Sequence, residues 1–282
     1  MSTLPSIAET VSQAAHRLKA SSESPRLDAE LLLGKVLGVS RSGLIARDHH
    51  PISMDQQRLY GELISRRAGG EPVAYLTGSR EFWSLPLTVT PAVLIPRPET
   101  ECLVERVLEL AAASKSCTVL DLGTGSGAIA LAIASERRHW RVTAVDISPQ
   151  ALEVATQNAR NLGLSIDWRL GSWFDAVPGE RFDLIAANPP YIASSDPALI
   201  SLRSEPYQAL AAGPTGLEAL SAIIANAQRH LKAQGWLLME HGPTQAQQIA
   251  QLLYGQGFTS VRTHSDFSGR PRVTLATVET QH

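Results

Sequence analysis

The sequence predicts an α/β protein in which a parallel sheet with crossover helices follows a small all-helical segment. Three observations carry this. Apolar residues recur at helical spacing from Thr3 to about Gly70. After the proline-rich stretch Pro91 to Pro98, short apolar runs rich in β-branched residues alternate with helical segments. A loop with glycine at alternate positions, Gly123-Thr124-Gly125-Ser126-Gly127, joins one such run to a helical one. The chain has 282 residues and is 44% hydrophobic, enough for a sizeable core and about two domains.

In chain order, Ile7, Val11, Ala14 and Leu18 mark a first amphipathic helix, and Leu27, Leu31, Val36 and Leu37 a second after the break at Ser24-Pro25. A further helix opens at Ser53, with Gln56 completing a capping box, and carries Leu59, Leu63 and Ile64 until Gly69-Gly70. Phe82 to Val89 suits an edge hairpin, because Pro86 cannot donate to a central ladder. Strands are expected near Thr118–Leu122, Arg141–Val145, Asp167–Leu170, Phe182–Ala187 and Trp236–Glu240, and a last, alternating strand, Arg272 to Val278, pairs antiparallel. Ser148 caps the helix after the second strand, with Pro149 in its first turn and Gly163 as its stop.

Composition excludes several classes. The formal charge of −2, from 25 basic and 27 acidic residues, argues against binding nucleic acid mainly by phosphate neutralisation. The first 85 residues hold ten basic and nine acidic residues, so Arg66, Arg67 and Arg80 read as a solvated face. Cys102 and Cys117 lack metal or disulfide spacing and read as buried thiols in a reducing compartment. Without a signal peptide or an apolar run of about 18 residues, the expected location is cytoplasmic, with no membrane association. His241 beside Glu240 and the pair His49-His50 lack metal-ligand spacing, so no metal is expected.

The chemistry concentrates in two places. The segment Asp121 to Gly127 brings backbone amides to a helix start, and its GxGxG spacing differs from the GxGxxG that fits a pyrophosphate. Glycines for tight packing are the alternative. Asp146 ends the second strand near the offset at which an acid meets a ribose diol, and Trp173 follows the third strand, where an indole can stack on adenine. A helix-capping Asp and a core Trp are the plainer roles. Asn188-Pro189-Pro190-Tyr191 follows the fourth strand; the prolines stiffen the loop and hold Asn188 extended at a strand's carboxyl end, where α/β sheets bind ligands. A carboxamide there, beside a backbone carbonyl and an aromatic ring, can grip a planar group carrying an NH2. Together these features describe a site for an adenosine-like ligand without a phosphate clamp, which S-adenosylmethionine fits.

On these residues, and on Gly70-Glu71-Pro72, Tyr75-Leu76-Thr77-Gly78, Glu81-Phe82-Trp83 and Leu94-Ile95-Pro96-Arg97-Pro98-Glu99-Thr100-Glu101, nearly the whole chain resembles the release-factor glutamine N5-methyltransferase family of class I methyltransferases. The resemblance implies a helical substrate-docking domain (1–75), a β-hairpin linker (76–92) and a Rossmann-like, seven-stranded S-adenosylmethionine-dependent methyltransferase domain (93–282). It implies methylation of the Gln in the Gly-Gly-Gln loop of class 1 peptide chain release factors. Asp121, Gly123, Thr124, Gly125, Ser126, Gly127, Asp146, Trp173 and Asn188 are then the expected cofactor residues, Asn188, Pro189, Pro190 and Tyr191 the substrate residues, and Asn188, Pro189 and Tyr191 the catalytic ones. Two features depart from the family. Ser172 stands where an acidic residue is frequent, and Ser194 to Gln208 is somewhat short.

An amide nitrogen is a poor nucleophile, whereas a sulfonium methyl is intrinsically reactive, so orientation is expected to matter more than a base; alignment is worth up to roughly 7–11 kcal/mol in intramolecular models. Two rivals remain at this point. An adenine-N6 or other nucleic-acid methyltransferase could use the same elbow but must also take a base out of its stack. A non-catalytic binder could keep the fold, although it has no need of a rigid elbow. GxGxG spacing disfavours a nicotinamide dehydrogenase.

Overall fold

The structure, a computed structural model, describes residues 4–112 and 116–278. The chain divides into two compact units, Met1–Ser79 and Arg80–His282. The first comprises helices α1 (Ile7–Leu18), α2 (Pro25–Leu37), α3 (Arg41–Ile45), α4 (Met54–Ala68) and α5 (Val73–Thr77). Capping boxes start α1 at Ser6 with Glu9 and α4 at Ser53 with Gln56, satisfying backbone donors that have no partner inside the helix. Ile7, Val11, Ala14 and Leu18 pack with Leu32, Leu33 and Tyr60, whose hydroxyl donates to the Ala29 carbonyl at 2.9 Å.

The inward face of α2 differs from the one its leucines suggest. Leu27 and Leu31 are each 38% exposed, whereas Asp28 and Glu30 are buried beside Ala29, Leu32 and Leu33. Burying a carboxylate is tolerable only with partners. Asp28 meets Arg67 at 2.7 Å, and Glu30 meets Arg41 at 2.7 Å and Arg26 at 3.0 Å. Arg67 therefore belongs to an interior ion pair and not to a solvated basic face, and Leu59 is likewise exposed.

Starting at Ser79, the last residue of the first unit, β1 (Ser79–Phe82) and β2 (Leu85–Thr88) form a two-stranded sheet across the turn Trp83-Ser84, where both residues have positive φ, 52° and 57°. Next come α6 (Glu101–Leu110), β3 (Thr118–Leu122), α7 (Ala128–Glu136), β4 (Arg141–Asp146), α8 (Pro149–Leu162), β5 (Asp167–Leu170) and β6 (Phe182–Ala187). The chain continues through α9 (Ala198–Ser201), α10 (Glu218–Ala227), β7 (Leu231–Glu240), α11 (Ala246–Gly255), β8 (Thr259–Ser265) and β9 (Pro271–Thr277). The strand order is β5-β4-β3-β6-β7-β9-β8, with β3 to β7 parallel and β9 antiparallel to both neighbours.

The central strands read as mostly apolar runs because both faces are covered, with Asp121, Thr143 and Asp183 as interruptions. Val119, Leu184 and Ala186 enter one core, while Leu120, Leu122, Ile185 and Ala187 enter the other. Strand β8 has no such run; Thr259 to Ser265 is a half-exposed edge, so hydrophobic patterning does not reveal it. From β3 the chain builds outward to β4 and β5, then returns to β6 on β3's other side. That reversal opens a crevice at the carboxyl ends of β3 and β6, the place where such sheets bind ligands.

Candidate active site

The loops leaving β3, β4, β5 and β6 converge on a cleft of about 210 Å³, lined by Gly123, Gly125, Asp146, Trp173, Asn188 and Pro189 among others. Gly123, Gly125 and Gly127 all have positive φ, 71°, 58° and 84°, but their surroundings differ. A Cβ on Gly125 would meet nothing within 4 Å, so the backbone there lies open to the cleft. A Cβ on Gly123 would come within 3.3 Å of the Trp173 ring, which lies against the loop. At Gly127 a Cβ would stand 3.0 Å from Leu131, 3.1 Å from Trp168 and 3.2 Å from Ala155, so this glycine serves packing at the start of α7. Gly127→Ala is expected to cost about 1–3 kcal/mol of stability from strain and crowding. Chemical denaturation measures it, and an unchanged midpoint contradicts the packing role.

Asp121, at the end of β3, and the loop residues Thr124, Ser126 and Gly127 do not line the cleft. Asp121 is completely buried; its Oδ2 accepts from the Thr124 hydroxyl at 2.6 Å and from the Ala130 N–H at 3.2 Å, and its Oδ1 has no partner among the described residues. Burial pushes its carboxyl up to about 7. The Ser126 carbonyl accepts from Asn158 Nδ2 at 2.9 Å. These residues set the shape of the loop from within.

Asp146 lines the cleft. Its Oδ2 accepts the Gly125 N–H at 2.8 Å and its Oδ1 the Ser148 N–H at 2.9 Å, while the Ser148 hydroxyl caps α8 by accepting from Ala151 N at 3.2 Å. Burial raises the carboxyl's pKa, and backbone donors at Ser148, Gly125 and Ile147 pull it back. With about four acceptor sites on its two oxygens and three backbone donors, the carboxylate keeps about one site free. Trp173 stands beside Ser172 on the same wall with φ of 46°, an uncommon value for a bulky residue, and holds its indole against the Gly123 backbone at the cost of local strain.

Pro190 lines the same cleft, and a second cavity of about 70 Å³ adjoins it, lined by Leu94, Arg97, Asn188, Pro189, Tyr191 and Ile192. Leu94, Asn188, Pro189 and Ala209 line both cavities, so Asn188 and Pro189 are part of the wall between them. Asn188 Nδ2 donates to Thr100 Oγ1 at 3.1 Å, leaving the side-chain oxygen as the amide's acceptor. The Tyr191 hydroxyl donates to Glu240 Oε1 at 3.3 Å and its carbonyl accepts from Gln245 Nε2 at 3.0 Å. Burial raises its phenol's pKa well above the ordinary tyrosine value.

Three contributors carried no role in the sequence reading. Glu205 accepts from the Ile95 N–H at 3.1 Å and pairs with Arg97, tying the segment that supplies Leu94 to the one that supplies Pro206. Thr100 and Glu240 lie behind the elbow. His241 is buried between the Gly242 carbonyl and the Thr274 hydroxyl, each 2.8 Å from a ring nitrogen, and burial lowers its pKa, so it is neutral and occupied.

Residues 9–78 match the PrmC N-terminal domain family and residues 113–264 a methyltransferase domain family. A release factor glutamine methyltransferase of Coxiella burnetii is 44% identical over 272 residues, 96% of this chain and 98% of its own length. Those of Salmonella typhimurium and Escherichia coli are 47% and 45% identical over 90% of this chain and 92% and 93% of their own lengths. Among solved structures, a methyltransferase from Pyrococcus furiosus superposes with a TM-score of 0.53 at 17% identity, over 70% of this chain and 90% of that one. A Thermus thermophilus 16S rRNA N2 G1207 methyltransferase, solved with AdoMet and guanosine, superposes with a TM-score of 0.55 at 20% identity, over 71% of this chain and 50% of that one. These two structures share the fold. With full-length relatives at such identity, and with the glycine loop and elbow at the crevice of a seven-stranded sheet, the chain belongs to the release factor glutamine methyltransferase family.

Proposed function

We propose that the chain transfers a methyl group from S-adenosylmethionine to the side-chain amide nitrogen of the glutamine in the Gly-Gly-Gln loop of class 1 peptide chain release factors. The observation that carries this is the shared wall: Asn188 and Pro189 face both the cleft beside the glycine loop and the small cavity beside Tyr191. A donor on one side and an amide on the other would meet across these two residues.

The residues of the cleft fit the cofactor. Asp146 keeps an acceptor site for a ribose hydroxyl, Trp173 offers a stacking face for adenine, and the open backbone at Gly125 allows close approach. Bound there, S-adenosylmethionine supplies an electrophilic methyl on a sulfonium. Asn188 Oδ1 and the Pro189 carbonyl accept the two N–H bonds of the target amide and aim its nitrogen at that methyl. As the nitrogen gains positive charge these oxygens bind it more strongly, which favours the transition state over the ground state. Tyr191 walls the planar amide. The proton becomes acidic only after methyl transfer, so it leaves to water without a strong base. The helical unit Met1–Ser79, whose charges are nearly balanced, is read as a docking element for a folded protein and not for nucleic acid. No helix among the described residues is long and apolar enough to cross a membrane.

Incubation with methyl-labelled cofactor and either release factor, DNA or RNA tests the proposal. Label is expected in the release factor. Label in nucleic acid alone overturns it.

A further inference from the structure

Asn158, on the inward face of α8, is completely buried and takes no part in the methyl-transfer chemistry above. Its carboxamide bonds the backbone of two other segments. Oδ1 accepts the Thr88 N–H of β2 at 2.7 Å, while Nδ2 donates to the Thr88 carbonyl at 3.0 Å and to the Ser126 carbonyl at 2.9 Å. The N–H and C=O of one strand residue point the same way, and β2 has a strand neighbour, β1, on one side only, so the carboxamide pairs with Thr88 as a residue of a further strand would. Its orientation is forced. Turned over, its oxygen would face two carbonyls. An apolar side chain would be buried here without the cost of desolvating an amide, so what the carboxamide adds is direction.

Both segments that it bonds continue into the cofactor cleft. Ser126 follows Gly125, whose open backbone lines the cleft and whose N–H is held by Asp146. Thr88 leads to Ala92, Val93 and Leu94, which line it as well. The path between is short and fixed. The Thr90 carbonyl accepts the Val93 N–H at 3.1 Å, its hydroxyl accepts the Ala92 N–H at 3.3 Å, and Val89 and Val93 are buried, so a displacement at Thr88 is carried to the cleft wall. We propose that Asn158 is a positioning residue of the cofactor site: by bonding Thr88 and Ser126 with one carboxamide, it sets the spacing between the segment Ala92–Leu94 and the glycine loop, and so the fit of S-adenosylmethionine between them. The inference deepens the proposed methyl transfer and rests on its cofactor reading. Asp146 and Asn158 divide the support of the loop. The carboxylate holds the Gly125 N–H and meets the cofactor, whereas the carboxamide holds the next residue's carbonyl and registers the loop against β2.

The test has two arms, both in the full chain. In the first, calorimetric titration with S-adenosylhomocysteine compares wild type with Asn158→Ala, which is expected to bind about 10-fold more weakly, the scale set by a buried carbonyl left without its donor. With release factor as substrate, the loss is expected to fall on the KM for S-adenosylmethionine, with kcat changed by a smaller factor. A merely structural role would lower the melting temperature and leave the affinity of the folded protein unchanged. The second arm needs no variant. Thr88 does not line the cleft, yet its N–H is the one that Asn158 accepts, so its exchange with solvent in the wild type is expected to slow on saturation with S-adenosylhomocysteine. Coupling is reciprocal, so the factor should again be about 10. Unchanged affinity in folded Asn158→Ala, or Thr88 exchange that ignores the ligand, overturns the proposal, and the exchange arm decides if Asn158→Ala does not fold. A wild type that binds no S-adenosylhomocysteine instead removes the cofactor reading beneath it.

Discussion

Asn188→Ala is expected to lower kcat by about 10²- to 10³-fold while cofactor affinity changes by no more than a few-fold. The side chain stands on the wall between the two cavities, with its nitrogen committed to Thr100 and its oxygen left to accept. Alanine removes the acceptor that aims the amide nitrogen, and the bond lost is one that strengthens as positive charge develops, so the loss falls on kcat. The cleft's other walls, Asp146 and Trp173 among them, are untouched, which is why cofactor binding persists. Single-turnover kinetics with calorimetric cofactor titration separate the two quantities. Retained turnover contradicts the assigned role, and a parallel collapse of cofactor affinity reassigns Asn188 to binding.

Asp146→Ala is expected to weaken cofactor binding by about 10- to 100-fold, since a hydrogen bond to a charged group contributes about 1.5–3 kcal/mol. Two effects combine. The acceptor for a ribose diol disappears, and the N–H groups of Gly125 and Ser148 lose the carboxylate that holds the glycine loop against the start of α8. Asp146→Asn keeps a single acceptor oxygen and is expected to fall between the two. Calorimetric titration with S-adenosylhomocysteine measures the series; equal affinity in wild type and Asp146→Ala excludes Asp146 from the cofactor site.

What could be read in advance follows from how each residue is solvated. Strands β3, β4 and β6 were legible because both faces are buried and the sequence is mostly apolar, whereas β8, a half-exposed edge, carries no such mark. The face of α2 was misplaced because Asp28 and Glu30 are buried with arginine partners, and the pairing of Asp28 with Arg67, 39 positions away, leaves no periodic trace. The glycine loop was legible as a loop, but sequence alone could not separate Gly125, open to the cleft, from Gly127, packed against Leu131 and Trp168. The elbow was legible because two prolines dictate its backbone locally. Its support was not, since Thr100 and Glu240 meet Asn188 and Tyr191 only after the chain has folded.

The central claim is methyl transfer to a glutamine side chain through the Asn188-Pro189 wall. The most direct measurement is mass spectrometry of a class 1 release factor after incubation with the protein and S-adenosylmethionine. The account predicts one added methyl on the side chain of the Gly-Gly-Gln glutamine, and none when Asn188→Ala replaces the wild type over the same interval. A methyl on any other residue, or equal modification by both proteins, would contradict it.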